Sequence, residues 1–401
     1  MTPPPSPEFL LLAACCRWPR APEAVRAPAA TAIDWPRFLR LVRRHRVSGL
    51  AHGAIVEARI AMPDTQAGTL AAMALEQGRA SLACAADTAR IAGELEATGV
   101  EPVFFKGATL ALLAYGDLAI KQSSDIDILV RPDEARATLD YFAAQGFEWF
   151  HPAKPSGSRR FATMLAVLKS ATLIHRDTRK VLDVHWRLAT NAALLKPVRS
   201  FDAMKLAGRS VATLKRGDLA MYLATHGAGH GWMRLKWLAD FNALLNAMPP
   251  DEIATVRARA HAERIDSCVE AGLALCEHWF GGVVEAAPAV PSSRGRGIVA
   301  MADNLMRGPD ETAEQNTRIA QGMVQRTAGT FLKKRGFRFQ AINLWYASFK
   351  REDALIVPLP RALLPLYVVI GPSMRIGRNL GRLARLASRR AGSKAAQPHQ
   401  P

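Results

Sequence analysis

Asp125 and Asp127 stand two residues apart in the run Asp125-Ile126-Asp127-Ile128-Leu129-Val130. Apolar and acidic residues alternate there before the run turns wholly apolar, the pattern of a strand entering a core. Positions two apart on a strand share a face, so the two aspartates point together while Ile126 and Ile128 point inward. Carboxylates that close repel unless a cation lies between them. Hard oxygen donors of this kind suit Mg2+, with Mn2+ as the alternative. A second acidic strand follows in Leu182-Asp183-Val184-His185-Trp186, where Asp183 shares a face with His185. That aspartate either joins the first pair or lies exposed on an edge strand.

The elements that must hold these groups are legible around them. Val103, Phe104 and Phe105 form an apolar run of strand length, Lys106-Gly107 closes it, and residues 108–115 have helix-forming composition. A glycine opening a helix lets an anion approach the backbone N–H groups closely. Pro132 with Asp133-Glu134 starts a helix that stops at Gly146, and 147–150 reads as a further strand. The 151–160 segment carries Lys154, Arg159 and Arg160 and reads as a basic loop, facing either phosphates or solvent. Residues 171–175 and 181–187 form a hairpin about the turn at Asp177-Thr178-Arg179-Lys180.

Taken together, Lys106-Gly107, the Ser124-Asp125-Ile126-Asp127-Ile128-Leu129-Val130 run and the later Leu182-Asp183-Val184-His185-Trp186 run resemble the nucleotidyltransferase superfamily, with its polymerase-beta-like fold. More narrowly they resemble the bacterial uncharacterised nucleotidyltransferases, which often accompany polysaccharide or peptide-modification genes. The resemblance implies an α+β fold: a small mixed-sheet nucleotidyltransferase core flanked by N-terminal and C-terminal helical regions. It implies transfer of a nucleoside monophosphate from a nucleoside triphosphate to an acceptor, with release of pyrophosphate. Asp125, Asp127 and Asp183 would be both the catalytic residues and the metal ligands. Lys106, Gly107, Ser123, Ser124, Arg234 and Lys236 would bind the nucleotide. The chain departs from the superfamily pattern at Ala108, where a serine usually follows the glycine, and in a longer spacer from Gly107 to Asp125. Those departures keep a second reading open, a catalytically inactive nucleotide-binding or membrane-associated scaffold of the same fold.

A chain of 401 residues with 49% hydrophobic and 22% charged residues can build two or three domains around a substantial core. The divisions expected are a disordered leader at 1–7, a helical region at 8–99, the core at 100–190 and a C-terminal helical domain at 191–350. An apolar, proline-broken segment and a basic amphipathic helix follow at 351–390, then a disordered tail at 391–401. Within the first helical region Asp34 and Asp64 open helices, and His45 and His52 read as structural. His226 and His230 share a helical face, but no Glu follows the first and no third ligand is evident, so zinc is not expected. They would line the acceptor or nucleotide pocket. Trp232 and Trp237 suit base stacking or, more simply, the core.

The net charge is +18. Arg375, Arg378, Arg382, Arg385, Arg389, Arg390 and Lys394 supply seven of the positive charges with no acidic residue among them. Ile376, Leu380, Leu383 and Ala387 lie opposite Arg378, Arg382, Arg385 and Arg389 on a helical wheel, a pattern suited to an anionic membrane surface. No nucleic-acid module is visible, so nucleic acid is not expected as a partner. The five cysteines have neither metal-ligand spacing nor an even count, which points to a reducing cytoplasm, with contact at the inner membrane face through the tail.

Overall fold

The computed structural model describes residues 4–307, 329–374 and 376. A helical array comes first: α1 (Pro7–Cys15), α2 (Pro22–Ala29), α3 (Trp35–His45), α4 (Ser48–Glu57) and the long α5 (Asp64–Glu96). The strand-bearing region runs β1 (Val103–Phe104), α6 (Gly107–Tyr115), β2 (Asp125–Leu129), α7 (Ala135–Ala144), β3 (Phe147–His151), α8 (Gly157–Val167), β4 (Ser170–His175), β5 (Val181–His185), β6 (Phe201–Leu206) and β7 (Arg209–Leu214). Helices return as α9 (Arg216–Gly229), α10 (Leu235–Asn246), α11 (Pro250–Ala262), α12 (Asp266–Phe280) and α13 (Ser293–Met306), with a further helix over Phe337–Ser348.

The strands form one seven-stranded mixed sheet in the order β3-β4-β5-β2-β1-β7-β6. The fold is thus the expected mixture, a mixed sheet with helices before and after it. The sheet extends past residue 190, where the sequence reading ended the core. β6 and β7 pair as a hairpin across Ala207-Gly208, both with positive φ. β7 then lies parallel to β1. An Ala-Gly pair between two alternating runs was the available signal, since a two-residue turn of this kind needs φ above zero. The basic 151–160 segment is also not all loop. Phe161, Met164 and Val167 at helical spacing bury one face of α8, which begins at Gly157.

Each face of the sheet meets its own apolar layer. Ile126, Ile128, Leu182, Val184 and Leu173 share a core with the end of α5 and with α7 and α8. Val103, Phe105 and Leu110 join the larger core built from α1, α3, α4, α9, α10 and α12. Strand alternation therefore aims Asp127, Asp183 and His185 at the second layer, against α9. The long spacer before β2 is stitched to α5. Gln77 Nε2 donates to the carbonyls of Ala119 and Ile120 at 3.1 Å, and Ser81 Oγ donates to Lys121 O at 2.7 Å. Ser123 N donates back to Ser81 Oγ at 3.2 Å. From the other side Lys121 pairs with Asp240 of α10 at 3.2 Å, and Tyr115 OH donates to the same carboxylate at 3.1 Å.

The amphipathic pattern at 376–389 lies outside the described residues except for Ile376, which is exposed. Among the described residues no helix is long and apolar enough to cross a membrane.

Candidate active site

β2 and β5 run parallel in a register that sets Asp127 opposite Asp183 and Leu129 opposite His185. Ligand atoms of Asp127, Asp183 and His185 all lie within 4.8 Å of one another, the one such His/Cys/Asp/Glu group among the described residues. Asp127 and His185 are buried and Asp183 is half-buried. Asp125 sits at the exposed start of β2 and is not a member of the group. The reason is geometric. Two residues along a strand span about 6.7 Å, a gap that the longer His185 side chain bridges to Asp183 and the short Asp125 does not bridge to Asp127, whereas side chains directly across neighbouring strands meet at about 5 Å. The converging carboxylates are therefore the cross-strand pair Asp127 and Asp183, with Asp125 one step nearer the mouth.

One oxygen of each converging carboxylate is held by hydrogen bonds. Lys106 Nζ donates to Asp127 Oδ1 at 2.7 Å, and His185 Nε2 lies 2.9 Å from the same oxygen. An ionised carboxylate only accepts, so the imidazole proton sits on Nε2. His185 Nδ1 is then buried without a hydrogen-bond partner. Thr172 Oγ1, across the β4–β5 pair, donates to Asp183 Oδ1. Burial alone would raise the Asp127 pKa, but the Lys106 charge and the His185 hydrogen bond outweigh it and hold the group well below the usual carboxylate range. Burial likewise works against the Lys106 charge, yet Asp127 and Tyr222 keep it protonated far above the ordinary lysine range. The Lys106 ammonium also lies over the Phe105 and Tyr222 rings, at 5.4 and 5.5 Å.

The glycine corner lies at the Asp125 end. Gly107 has φ +58°, and a Cβ built there would lie 3.5 Å from Asp125 O and 3.8 Å from Ser123 Oγ. No side chain caps the first N–H groups of α6, and Ser123 Oγ is buried without a hydrogen-bond partner. Ser124 is exposed, with Oγ 3.5 Å from Asp125 Oδ1. Lys236 lines a separate small cleft with Lys121 and Asp240, and the Asp125 charge acts on it. Burial, with Lys121 nearby, lowers its pKa to about 8. Arg234 caps α10 with its guanidinium 5.9 Å from the Trp237 ring centre, and its charge presses on buried His45. Trp232 is fully buried. Trp237 packs against His230 with ring centres 4.8 Å apart.

Sequence reasoning missed two participants. Strand alternation alone shows His185 only as sharing a face with Asp183; its register opposite Leu129, one step beyond Asp127, depends on strand pairing. Lys169, immediately before β4, has its charge coupled to Asp127 and Asp183. Its part is invisible until β4 pairs with β5.

The donor set suits a hard divalent ion. Asp127 and Asp183 each keep Oδ2 outside the bonds just described, and both are oxygen donors.

Residues 31–281 match the model of a family described as uncharacterised nucleotidyltransferases. Among solved structures, an antigenic nucleotidyltransferase-like protein from Paracoccidioides brasiliensis is 13% identical, with a TM-score of 0.29, over 47% of this chain and 92% of the other. No curated protein matches.

Proposed function

This chain belongs to the uncharacterised nucleotidyltransferase family, and from that premise we propose that it transfers a nucleoside monophosphate from a nucleoside triphosphate to a hydroxyl-bearing acceptor. The observation that carries this reading is the cross-strand pair Asp127 and Asp183, converging within 4.8 Å beside a glycine corner. The corner suits the donor's phosphates. Gly107 leaves room for close approach, the uncapped N–H groups of α6 offer donors, and Ser123 Oγ has an unfilled hydrogen-bonding capacity. Ser124, Lys236 and Arg234 would extend that surface outward. Asp127, Asp183 and, at the mouth, Asp125 would hold Mg2+ or Mn2+, which when bound would neutralise phosphate charge and make the acceptor hydroxyl more acidic.

The chain's own groups then have distinct tasks. Lys106 and His185 fix the Asp127 carboxylate in one orientation. Thr172 does the same for Asp183, which would take the acceptor's proton. The acceptor oxygen forms a bond to the α-phosphorus. The bond from that phosphorus to the oxygen bridging to the β-phosphate breaks, and pyrophosphate leaves with its electron pair. Polysaccharide or peptide-modification chemistry would supply such acceptors, in a cytoplasmic setting.

A second reading has one specific observation behind it. The Lys106 ammonium already balances Asp127, so the site is charge-compensated as a binding scaffold would be. Calorimetry with a non-hydrolysable triphosphate analogue separates the readings. The enzyme requires analogue binding that strengthens with Mg2+; binding indifferent to Mg2+ would rule the catalytic reading out.

A further inference from the structure

Beyond the His185 end of the site lies a cavity of about 330 Å3, walled by α9, the segment after β5 and the Phe337–Ser348 helix. Three cationic side chains reach it: Lys169, Lys333 and Arg351. No acidic residue lines it among the described residues. The larger cavity beside Lys196, by contrast, carries Asp218 and Glu263 with its basic groups, and Arg259 there pairs with Asp218 at 2.6 Å. Arg351 reaches Thr190 Oγ1 at 3.2 Å. Neither Lys169 nor Lys333 makes a side-chain hydrogen bond or ion pair within the described residues. Asn343, 6% exposed, lines the same cavity and has its Nδ2 buried without a partner.

Ammonium groups without a bonded partner and an unused amide donor gathered in one half-open cavity cost stability. Burial lowers both lysines, Lys169 to about 8. Natural chains keep such groups where a ligand compensates them. We propose that this cavity is the acceptor pocket and that it recognises a phosphate group on the acceptor. The proposal rests on the transferase reading above and adds the acceptor's chemical class.

Position argues for the acceptor over the donor. In the β2–β5 register, Gly107 and Ser123 lie at the Asp125 end, and Lys169 precedes the strand that pairs with His185 at the other end. The Asp127–Asp183 pair stands between them. A triphosphate at the glycine corner and an anion in the cavity would thus approach the carboxylates from opposite sides. Three cationic side chains in a lining that holds no acidic residue among the described residues favour a phosphomonoester dianion over a single carboxylate. His226 and His230, with ring centres 4.5 Å apart, complete the wall, and burial keeps His226 neutral as a hydrogen-bonding partner.

The test uses inorganic phosphate, acetate and a non-hydrolysable triphosphate analogue with Mg2+, titrated calorimetrically into the full-length protein and into Lys169→Gln and Lys333→Gln. Removing an uncompensated ammonium should leave each variant folded with an equal or higher melting temperature. Phosphate should bind the unaltered protein more tightly than acetate. Each substitution should weaken phosphate binding about tenfold or more, as the loss of one charged hydrogen bond does. In Lys333→Gln, whose charge is not coupled to the aspartates, analogue binding should stay within about twofold. Phosphate binding equal in all three proteins, or no tighter than acetate, overturns the proposal. A Lys333→Gln protein that weakens the analogue as much as phosphate also overturns it, by giving the cavity to the donor. Failure of the unaltered protein to bind the analogue would instead strike the transferase reading.

Discussion

Lys106 occupies the place where an added cation would be most useful to Asp127. Truncating it leaves a buried carboxylate without its charged partner and with only the His185 hydrogen bond, where loss of a buried pair's partner costs about 3–5 kcal/mol in comparable cases. Lys106→Ala should therefore melt well below the unaltered protein, and Mg2+ should recover more of that loss in the variant than it adds to the parent. Thermal melts with and without Mg2+ check both. His45 supplies a separate test away from the site. It is fully buried, and its Nδ1 accepts from Leu235 N at 3.0 Å. Burial, reinforced by Arg44 and Arg234, holds its pKa well below the ordinary histidine value. The unfolded chain binds this proton more readily, so the stability from neutral His45 is full above about pH 6.5 and lost as pH falls. Its share of the slope approaches about 1.4 kcal/mol per pH unit. His45→Asn keeps an acceptor near the Nδ1 position without titrating. The melting temperature should therefore fall less in this variant than in the parent between about pH 7 and about pH 5.

At the scale of elements, α5 determines where the aspartate strand begins. Its buried residues Leu70, Gln77, Ser81, Cys84, Thr88, Ala92 and Leu95 recur at helical spacing, and two of the polar ones hold the loop that leads to Asp125. Ser81→Ala removes both the bond to Lys121 O and the acceptor for Ser123 N. The expected loss is about 1–3 kcal/mol, together with weaker binding of the triphosphate analogue, because Ser123 faces Gly107. Chemical denaturation and calorimetry measure the two effects. The same stitching gives the long Gly107–Asp125 spacer a physical reason: its extra length is docked on α5 and α10. The aspartate strand and the glycine corner were legible in the sequence because alternation and a Lys-Gly turn are local signals. Which carboxylates converge was not legible, because Asp127 meets Asp183 through register between strands far apart in the chain. Lys169 and the β6–β7 hairpin escaped for the same reason, since their roles arise from pairing.

Across the whole molecule, the net charge of +18 is unevenly spread, and its densest part is the 375–394 run. If that run is a membrane-surface helix, the full chain should bind phosphatidylserine vesicles in low salt and release them as salt rises. A chain ending at Met374 should lose the binding and keep its melting temperature. Vesicle co-sedimentation reads the first and a thermal melt the second. The helices before and after the sheet could be anticipated from periodicity and caps. The cation-lined cavity could not, because it draws on segments around residues 169, 230, 333 and 351 that only the folded chain brings together.

The most direct measurement counts pyrophosphate released from each nucleoside triphosphate with Mg2+ and a set of phosphorylated hydroxyl compounds, comparing the unaltered protein with Asp183→Asn. Asp183 is half-buried and is hydrogen-bonded by Thr172, so the amide should fit without loss of fold. The parent should release pyrophosphate in step with a nucleotidylated product, and the variant should do so about 10³-fold more slowly. A folded Asp183→Asn protein that turns over at the parental rate would contradict the account.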